Sequence, residues 1–320
     1  MAATNYVDSR CKTAINRVYG MPFKWSLNPY RGCMHACHYC YARESHTFLG
    51  LNADSDFERQ IFVKSNIAEA LDRELSRPGW AGESIAIGTA TDAYQAAEKR
   101  FRLTRACLEV LQKHNQPFSV VTKSPLIARD LDLIREISRR ARVHIYFTVT
   151  TVDEALSDKI EPGAFPPRKR LEALEMLAAE GIVCGVMMAP VMPGLNDRQD
   201  QIEAVAEAAA AAGASTFWAG PLRLAPPVRN HFFAFLQREF PTLLPWYMRR
   251  MEGQHLPESV QQRIEDRAAN ARARFGLAVT ERRAPPEPAL VRPLPAQLAI
   301  PLPELDPPMP IPLRYDPLSA

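Results

Sequence analysis

Six short apolar runs, each followed by helical periodicity, constrain this 320-residue chain more than any other feature. The runs are residues 25–28, 84–87, 118–122, 143–149, 182–188 and 215–219. The predicted helices are 65–75, 102–114, 125–140, 169–180, a helix capped by Asp197 that runs to Ala212, and one around 230–240. Gly181 and Gly213 stand where a C′ glycine ends a helix, and Asp197 where an N-cap begins one. Strict alternation of this kind implies a parallel sheet with right-handed crossovers. Strands apolar on both faces belong to a sheet covered by helices. An open doubly wound sheet and a barrel both fit. Six units fall short of the eight of a complete TIM barrel, so the expected fold is α/β, a partial (β/α)6 barrel of TIM type. In either arrangement ligands sit at the carboxyl ends of the strands.

The flanks differ from this pattern. Residues 1–24 have little periodicity and are expected to pack over the domain as an N-terminal extension. The barrel should occupy 25–245, followed by a helical segment, 246–283, with a helix at 257–274. The last 37 residues, 284–320, hold 12 of the 28 prolines and should be extended or disordered. An apolar fraction of 47% is that of a globular protein. The net charge of +3 is compatible with a nucleic-acid partner without requiring one. The first ten residues lack the apolar core of a signal peptide, and no run is long enough to span a membrane. A cytoplasmic protein is expected. Nothing in the sequence sets an oligomeric state.

Six cysteines in such a chain are not a disulfide framework. Three crowd into the stretch Cys33-Met-His-Ala-Cys37-His-Tyr39-Cys40, spaced C-x3-C-x2-C. Crowding of this kind reads as metal or redox chemistry. A [4Fe–4S] cube usually takes four thiolates; here the local motif supplies three and leaves one iron open. The alternative is zinc, with His35, His38 or His46 completing a Cys3His set. Cys107 and Cys184 lie in predicted elements and read as small core residues. Cys11 reads as a free thiol in the extension. The strand exits are also polar: Thr89, Thr91, Asp92, Tyr94 and Gln95 after the second strand, Thr122, Lys123 and Ser124 after the third, Thr148, Thr150 and Thr151 after the fourth. Turn chemistry alone favours some of these residues, but their repetition at three exits points to a site.

The cysteine spacing, the aromatic Tyr39 before the third cysteine and the place after the first strand together resemble the radical S-adenosylmethionine superfamily. That resemblance implies a [4Fe–4S] cluster on Cys33, Cys37 and Cys40, with S-adenosylmethionine chelating the open iron. It implies reductive cleavage to a 5′-deoxyadenosyl radical that abstracts hydrogen from a substrate, with Tyr39 near the adenine. An electron donor such as flavodoxin or ferredoxin is the implied partner. The segments around Thr91-Asp92, Lys123, 160–171 and 189–197 are similar to the spore photoproduct lyase-related branch, often labelled DNA repair photolyase-like, over about residues 20–225. Carried over by position, Thr91, Lys123 and Thr148 contact the methionine end of the cofactor, with Lys123 on its carboxylate. Met192 to Gly194 pass the adenine, a plain Pro-Gly turn being the alternative. Glu161 and Arg170 pair near the site, a surface ion pair being the alternative. The lyase carries a hydrogen-returning cysteine at the second-strand exit, where this chain has Thr89. A hydroxyl O–H bond is too strong for that role, which leaves Tyr39, Tyr41 or Cys11.

Basic residues cluster at Arg135, Arg139, Arg140 and Arg142, at Arg249 and Arg250, and at Arg263, Arg267, Arg272 and Arg274. Phosphate binding needs such charges on one face. Glu258, Glu265 and Asp266 interleave with the last group and favour a salt-bridged surface. Trp218, Phe232, Phe233, Phe235 and Trp246 offer base stacking or core packing. Three readings follow: a radical enzyme acting on a nucleic-acid lesion, a radical enzyme modifying a peptide or small metabolite, and a non-enzymatic zinc or Fe–S module.

Overall fold

A computed structural model describes residues 4–251 and 253–279. The proline-rich stretch 284–320 and the end of the preceding segment lie outside the described residues. The strands are β1 (Asn5–Asp8), β2 (Ile15–Arg17), β3 (Trp25–Leu27), β4 (Tyr30–Arg31), β5 (Gln60–Val63), β6 (Ile85–Ile87), β7 (Phe118–Thr122), β8 (Val143–Thr148), β9 (Val183–Val191) and β10 (Thr216–Pro221). All six predicted strands are present, as β3 and β6 to β10.

These six pair in sequence order, β3-β6-β7-β8-β9-β10, and every pair is parallel. That order decides between the two architectures. A doubly wound sheet reverses its strand order at a switch point. Here each new strand adds on the same side, so right-handed crossovers put every helix on one face and leave the other face inward. The result is the partial barrel. No pair joins β10 to β3 among the described residues, and β2 lies antiparallel on the far side of β3. Apolar side chains of the strands, Leu27, Ile87, Val120, Ile145 and Val186, are buried with those of the surrounding helices, such as Leu71, Leu108, Ile134, Leu174 and Ile202. Cys107 and Cys184 are buried core residues.

The N-terminal extension is more ordered than its weak periodicity implied. β1 pairs in parallel with β5, β4 pairs antiparallel with β5, and β2 extends the main sheet. Strands of two to four residues carry too few alternations to register as a pattern.

Three helix readings are corrected. The 125–140 element is a 3-10 turn, Pro125–Asp130, followed by an α-helix, Leu131–Ser138. The Asp130 carboxylate holds Arg105 at 3.0 Å and Arg129 at 2.8 Å, fixing the chain where the two segments meet. The helix after β10 runs Pro226–Glu239, because Pro226 and Pro227 fill first-turn positions where no N–H is needed. Asp197 does not cap its helix: its Oδ1 accepts from the Gly194 N–H at 2.7 Å. The helix Gln199–Ala211 starts from Arg198, whose N–H donates to Gln201 Oε1 at 3.1 Å. Gly181 and Gly213 do follow their helices with positive φ.

The helix Glu258–Phe275 packs on the helix Gln199–Ala211 and on β10. Arg267 reaches Asp197 at 3.1 Å and Arg274 reaches Glu203 at 2.5 Å. Arg272 pairs with Glu265 at 2.5 Å, Arg135 with Glu180 at 3.0 Å, and Arg139 and Arg140 with Glu136 at 3.1 and 2.9 Å. These cations are therefore spent in salt bridges. Phe232 and Phe235 are core residues, whereas Trp218 is 40% exposed. No described helix is long and apolar enough to cross a membrane.

Candidate active site

The cysteine loop leaves β3 and β4 at the carboxyl end of the sheet as a series of tight turns. Cys33 O accepts from Ala36 N–H at 3.5 Å, Cys37 O from Cys40 N–H at 3.3 Å, and Cys40 O from Arg43 N–H at 3.2 Å. Ala36 takes a left-handed φ of 55°. Cys33 and Cys37 are buried and Cys40 half-buried; none is in a disulfide. Two glycines let the backbone close around the loop. A Cβ on Gly32 would meet Gln60 O at 2.7 Å, and one on Gly163 would meet Met34 O at 2.1 Å. Gly163 N–H donates to His35 O and His38 N–H to Ile160 O, both at 3.0 Å, so the segment after β8 clamps the loop.

Arg43 does most of the bracing. Its fully buried guanidinium donates to Cys37 O and Ala36 O at 2.8 Å, to Ala53 O and Asp54 O at 3.0 Å, and to Glu58 Oε1 at 2.5 Å. The sequence reading missed it. A cation three residues after the last cysteine is the only signal, and it is indistinguishable in sequence from a surface arginine. Arg43→Met removes five hydrogen bonds and should cost at least about 3 kcal/mol. Chemical denaturation of the metal-free protein measures this; an unchanged midpoint would mean the loop holds itself.

Beside Cys37 lies a buried charged cluster. Glu161 and Arg170 are both fully buried, with Oε2 and Nη2 2.5 Å apart, a close ion pair whose angles are not those of a hydrogen bond. The surface alternative is thus excluded. The Tyr39 hydroxyl donates to Glu161 Oε1, and Thr150 Oγ1 donates to the same oxygen at 3.0 Å. Arg170 also donates to Thr148 O and Phe165 O, at 3.0 and 2.7 Å. Burial alone would raise the Glu161 carboxyl, but Arg170, Lys123 and the Tyr39 hydroxyl hold it below its ordinary range. Lys123 Nζ lies 5.6 Å from the centre of the Tyr39 ring. Burial disfavours its charge, yet Cys37 and Glu161 outweigh burial and raise its pKa to about 12. With Glu161 engaged by Arg170, Lys123 is the cation left over.

The strand exits complete the site. Thr91, after β6, donates its hydroxyl to Gly32 O at 2.6 Å and accepts from Gln95 Nε2 at 2.9 Å. Gln95 also donates to Gly32 O and accepts from Met34 N–H, at 3.0 and 3.1 Å. In this structure Thr91 therefore holds the cysteine loop. Thr89 accepts from Asn28 Nδ2 at 3.2 Å, and its carbonyl accepts from the Tyr41 hydroxyl. Asp92 accepts from Thr122 Oγ1 and the Lys123 N–H at 2.8 and 2.7 Å, fixing the turn that carries Lys123. Thr148, at the end of β8, is buried. After β9, Asn196 pins the turn at Met192–Gly194: Oδ1 accepts from Met192 N–H at 2.5 Å, and Nδ2 donates to Thr150 O at 2.8 Å. Tyr39, Thr91, Lys123, Thr148, Met192 and Gly194 thus all stand at the loop or at strand exits. Gln95, read only as one of the polar residues at the second exit, and Asn196, read only as part of the 189–197 segment, had no role assigned, because their sequence context is that of ordinary polar loop residues. Cys11 lies away from this group; its backbone is tied to Asn66 at 2.8 and 2.9 Å.

The donor set distinguishes a cluster from zinc. His35 faces Asp92 at 3.3 Å, His38 Nδ1 meets His231 Nε2 at 2.9 Å, and His46 Nε2 meets Gln60 O at 3.0 Å. All three are buried or half-buried rather than solvated, and each is already engaged. Among the described residues, no three His, Cys, Asp or Glu side chains converge on one ion. A tetrahedral zinc with Zn–S near about 2.3 Å needs that convergence. A cube, in which each thiolate takes a different iron, does not. Burial raises the Cys33 thiol, and burial raises the Cys37 thiol to about 12 although Lys123 opposes it. Three thiols in one braced turn, with no fourth ligand beside them among the described residues, fit a [4Fe–4S] cluster with one open iron.

The family model of the Radical SAM superfamily matches residues 27–209. An uncharacterized protein of Mycobacterium tuberculosis is 38% identical over 281 residues, covering 87% of this chain and 83% of its own. Another of Methanocaldococcus jannaschii is 30% identical over 188 residues, covering 59% and 68%. Among solved structures, a spore photoproduct lyase double mutant with bound AdoMet and dinucleoside spore photoproduct superposes with a TM-score of 0.64 at 16% identity, covering 84% of this chain and 79% of that one. The same lyase complexed with dinucleoside spore photoproduct gives a TM-score of 0.62 at the same identity and coverage. These likenesses show a shared fold. Together with the loop, the family match identifies the cofactors as a [4Fe–4S] cluster and S-adenosylmethionine, and the protein as an enzyme: the chain belongs to the radical S-adenosylmethionine superfamily.

Proposed function

We propose that this enzyme abstracts hydrogen from a nucleobase lesion presented at the open end of the barrel. When bound, the reduced cluster supplies the electron that splits S-adenosylmethionine, giving a 5′-deoxyadenosyl radical that takes hydrogen from the substrate. The observation that carries the cofactor part is Lys123. Its ammonium lies beside Cys37 and over Tyr39, while the nearby carboxylate is taken by Arg170. It is the matching partner for the methionine carboxylate. Tyr39, buried and held through Glu161, forms the wall against which the adenine packs. Asn196 shapes the opposite turn, Met192 to Gly194, for the same base.

Two points support a lesion as substrate. The barrel is that of a lyase whose structures hold a dinucleoside photoproduct. Tyr41, 51% exposed, also places its phenol on the carbonyl of Thr89. In this reading its O–H bond breaks to give the product radical its hydrogen atom, and the tyrosyl radical left behind takes one electron from the one-electron carrier and a proton from solvent. The competing reading, modification of a peptide or small metabolite, is favoured by the ion pairs that Arg135, Arg140, Arg272 and Arg274 make with carboxylates, which leave those residues less charge for phosphates. We assign the work to the cytoplasm, with a one-electron carrier as reductant.

Lys123→Met should raise KM for S-adenosylmethionine at least roughly tenfold, with Lys123→Arg recovering part of the loss. An unchanged KM removes Lys123 from the carboxylate. For the substrate, deuterium transfer into 5′-deoxyadenosine from labelled dinucleoside photoproduct is the test. Transfer supports the lesion; no transfer, with cofactor cleavage intact, rejects it in favour of the peptide or metabolite reading.

A further inference from the structure

A surface feature outside the site lies behind the cysteine loop. A cleft of about 430 Å³ is lined by Tyr6, Asp8, Val63, Ser65, Arg100 and Phe101. It reaches the loop through a direct contact, the Tyr6 hydroxyl donating to Met34 Sδ at 3.5 Å. Met34 is covalently next to Cys33. The short helix Ala96–Phe101, which carries Arg100, begins at Gln95, the residue that binds Met34 N–H and Gly32 O. The cleft and the cluster loop are thus joined from both sides.

The cleft itself is lined by one carboxylate, Asp8, and one cation, Arg100, and two further cations stand beside Arg100 in the chain. Lys99, Arg100 and Arg102 are exposed, and among the described residues none has an acidic partner within ion-pair distance. The intervening Glu98 is buried and neutralised by Arg129 at 2.7 Å. Arg100 is fixed over the rings of Tyr6 and Phe101, at 5.8 and 5.0 Å, and Lys99 over Phe165 at 5.7 Å. These are pre-positioned cations. The two rings pack edge to face at 5.2 Å under Arg100, so they are not free to stack on bases.

We propose that this cleft is the docking site of an acidic one-electron carrier protein. The carrier gives one electron to the cluster and is itself oxidised by one electron; no proton or group is transferred. Lys99, Arg100 and Arg102 attract it, and the Tyr6–Met34 contact sets its approach next to Cys33. This inference rests on the radical-enzyme reading above.

The test follows cluster reduction by stopped-flow absorbance in the reconstituted full-length protein, with reduced flavodoxin and with dithionite as separate reductants. The double charge reversal Lys99→Glu/Arg100→Glu should slow reduction by flavodoxin at least roughly tenfold at low salt, and high salt should shrink the difference. Reduction by dithionite and iron content should not change. A variant that flavodoxin reduces at the normal rate overturns the docking site. So does a variant that loses affinity for duplex DNA while keeping its reduction rate, since the cations would then serve a nucleic acid. Failure of the radical-enzyme reading looks different: the wild-type protein would hold no reducible cluster.

Discussion

Replacing Cys37 by alanine should give a folded protein that binds markedly less iron and forms no 5′-deoxyadenosine above background. The fold should survive because the loop is held by contacts other than the thiols: Arg43 on the Ala36 and Cys37 carbonyls, Gly163 on His35, Ile160 on His38. The chemistry should fail because the motif has three thiolates and no spare ligand, with every neighbouring histidine engaged. Iron and sulfide analysis with quantified 5′-deoxyadenosine checks both halves. A mutant that retains full cofactor cleavage would mean that Cys37 is not a ligand.

The second large effect concerns the buried pair. Glu161→Gln removes the carboxylate that pairs with Arg170 and accepts from Tyr39 and Thr150. Leaving Arg170 buried without its counter-charge should cost about 3–5 kcal/mol. The double variant Glu161→Gln/Arg170→Met should recover much of that loss, since it removes the orphaned charge. Denaturant titrations of the four proteins give the coupling; additive losses would contradict a direct pair. The pH dependence has a definite sign. Glu161 is held below its ordinary value of 4.5, so its contribution is fully present above that pH and is lost as pH falls through its depressed value. The wild-type protein should therefore lose stability on acidification below about pH 4.5 more steeply than the double variant.

The barrel was legible because each parallel strand is a short apolar run next to a helix with periodic burial, such as Ile134 and Ile137 after β7. The extension was not, because β1 gains its conformation from a partner distant in sequence, Gln60–Val63, and β2 is a three-residue strand too short to show alternation. The same distinction applies at the site. Cys33, Cys37 and Cys40 are readable because local spacing encodes their chemistry. Lys123 and Glu161 were found by resemblance and strand position. The roles of Arg43 and Gln95 were not legible, because their work is to bind backbone carbonyls and amides that only the folded loop brings near. Thr91 has work in the fold that transfer by position did not name: its hydroxyl is engaged with Gly32 O and Gln95.

The most direct measurement is the fate of S-adenosylmethionine with anaerobically reconstituted, reduced wild-type protein. Equal amounts of methionine and 5′-deoxyadenosine, formed only when the cluster is reduced, are the expected result. A colourless protein carrying stoichiometric zinc, or a reduced cluster that leaves S-adenosylmethionine intact, would contradict it.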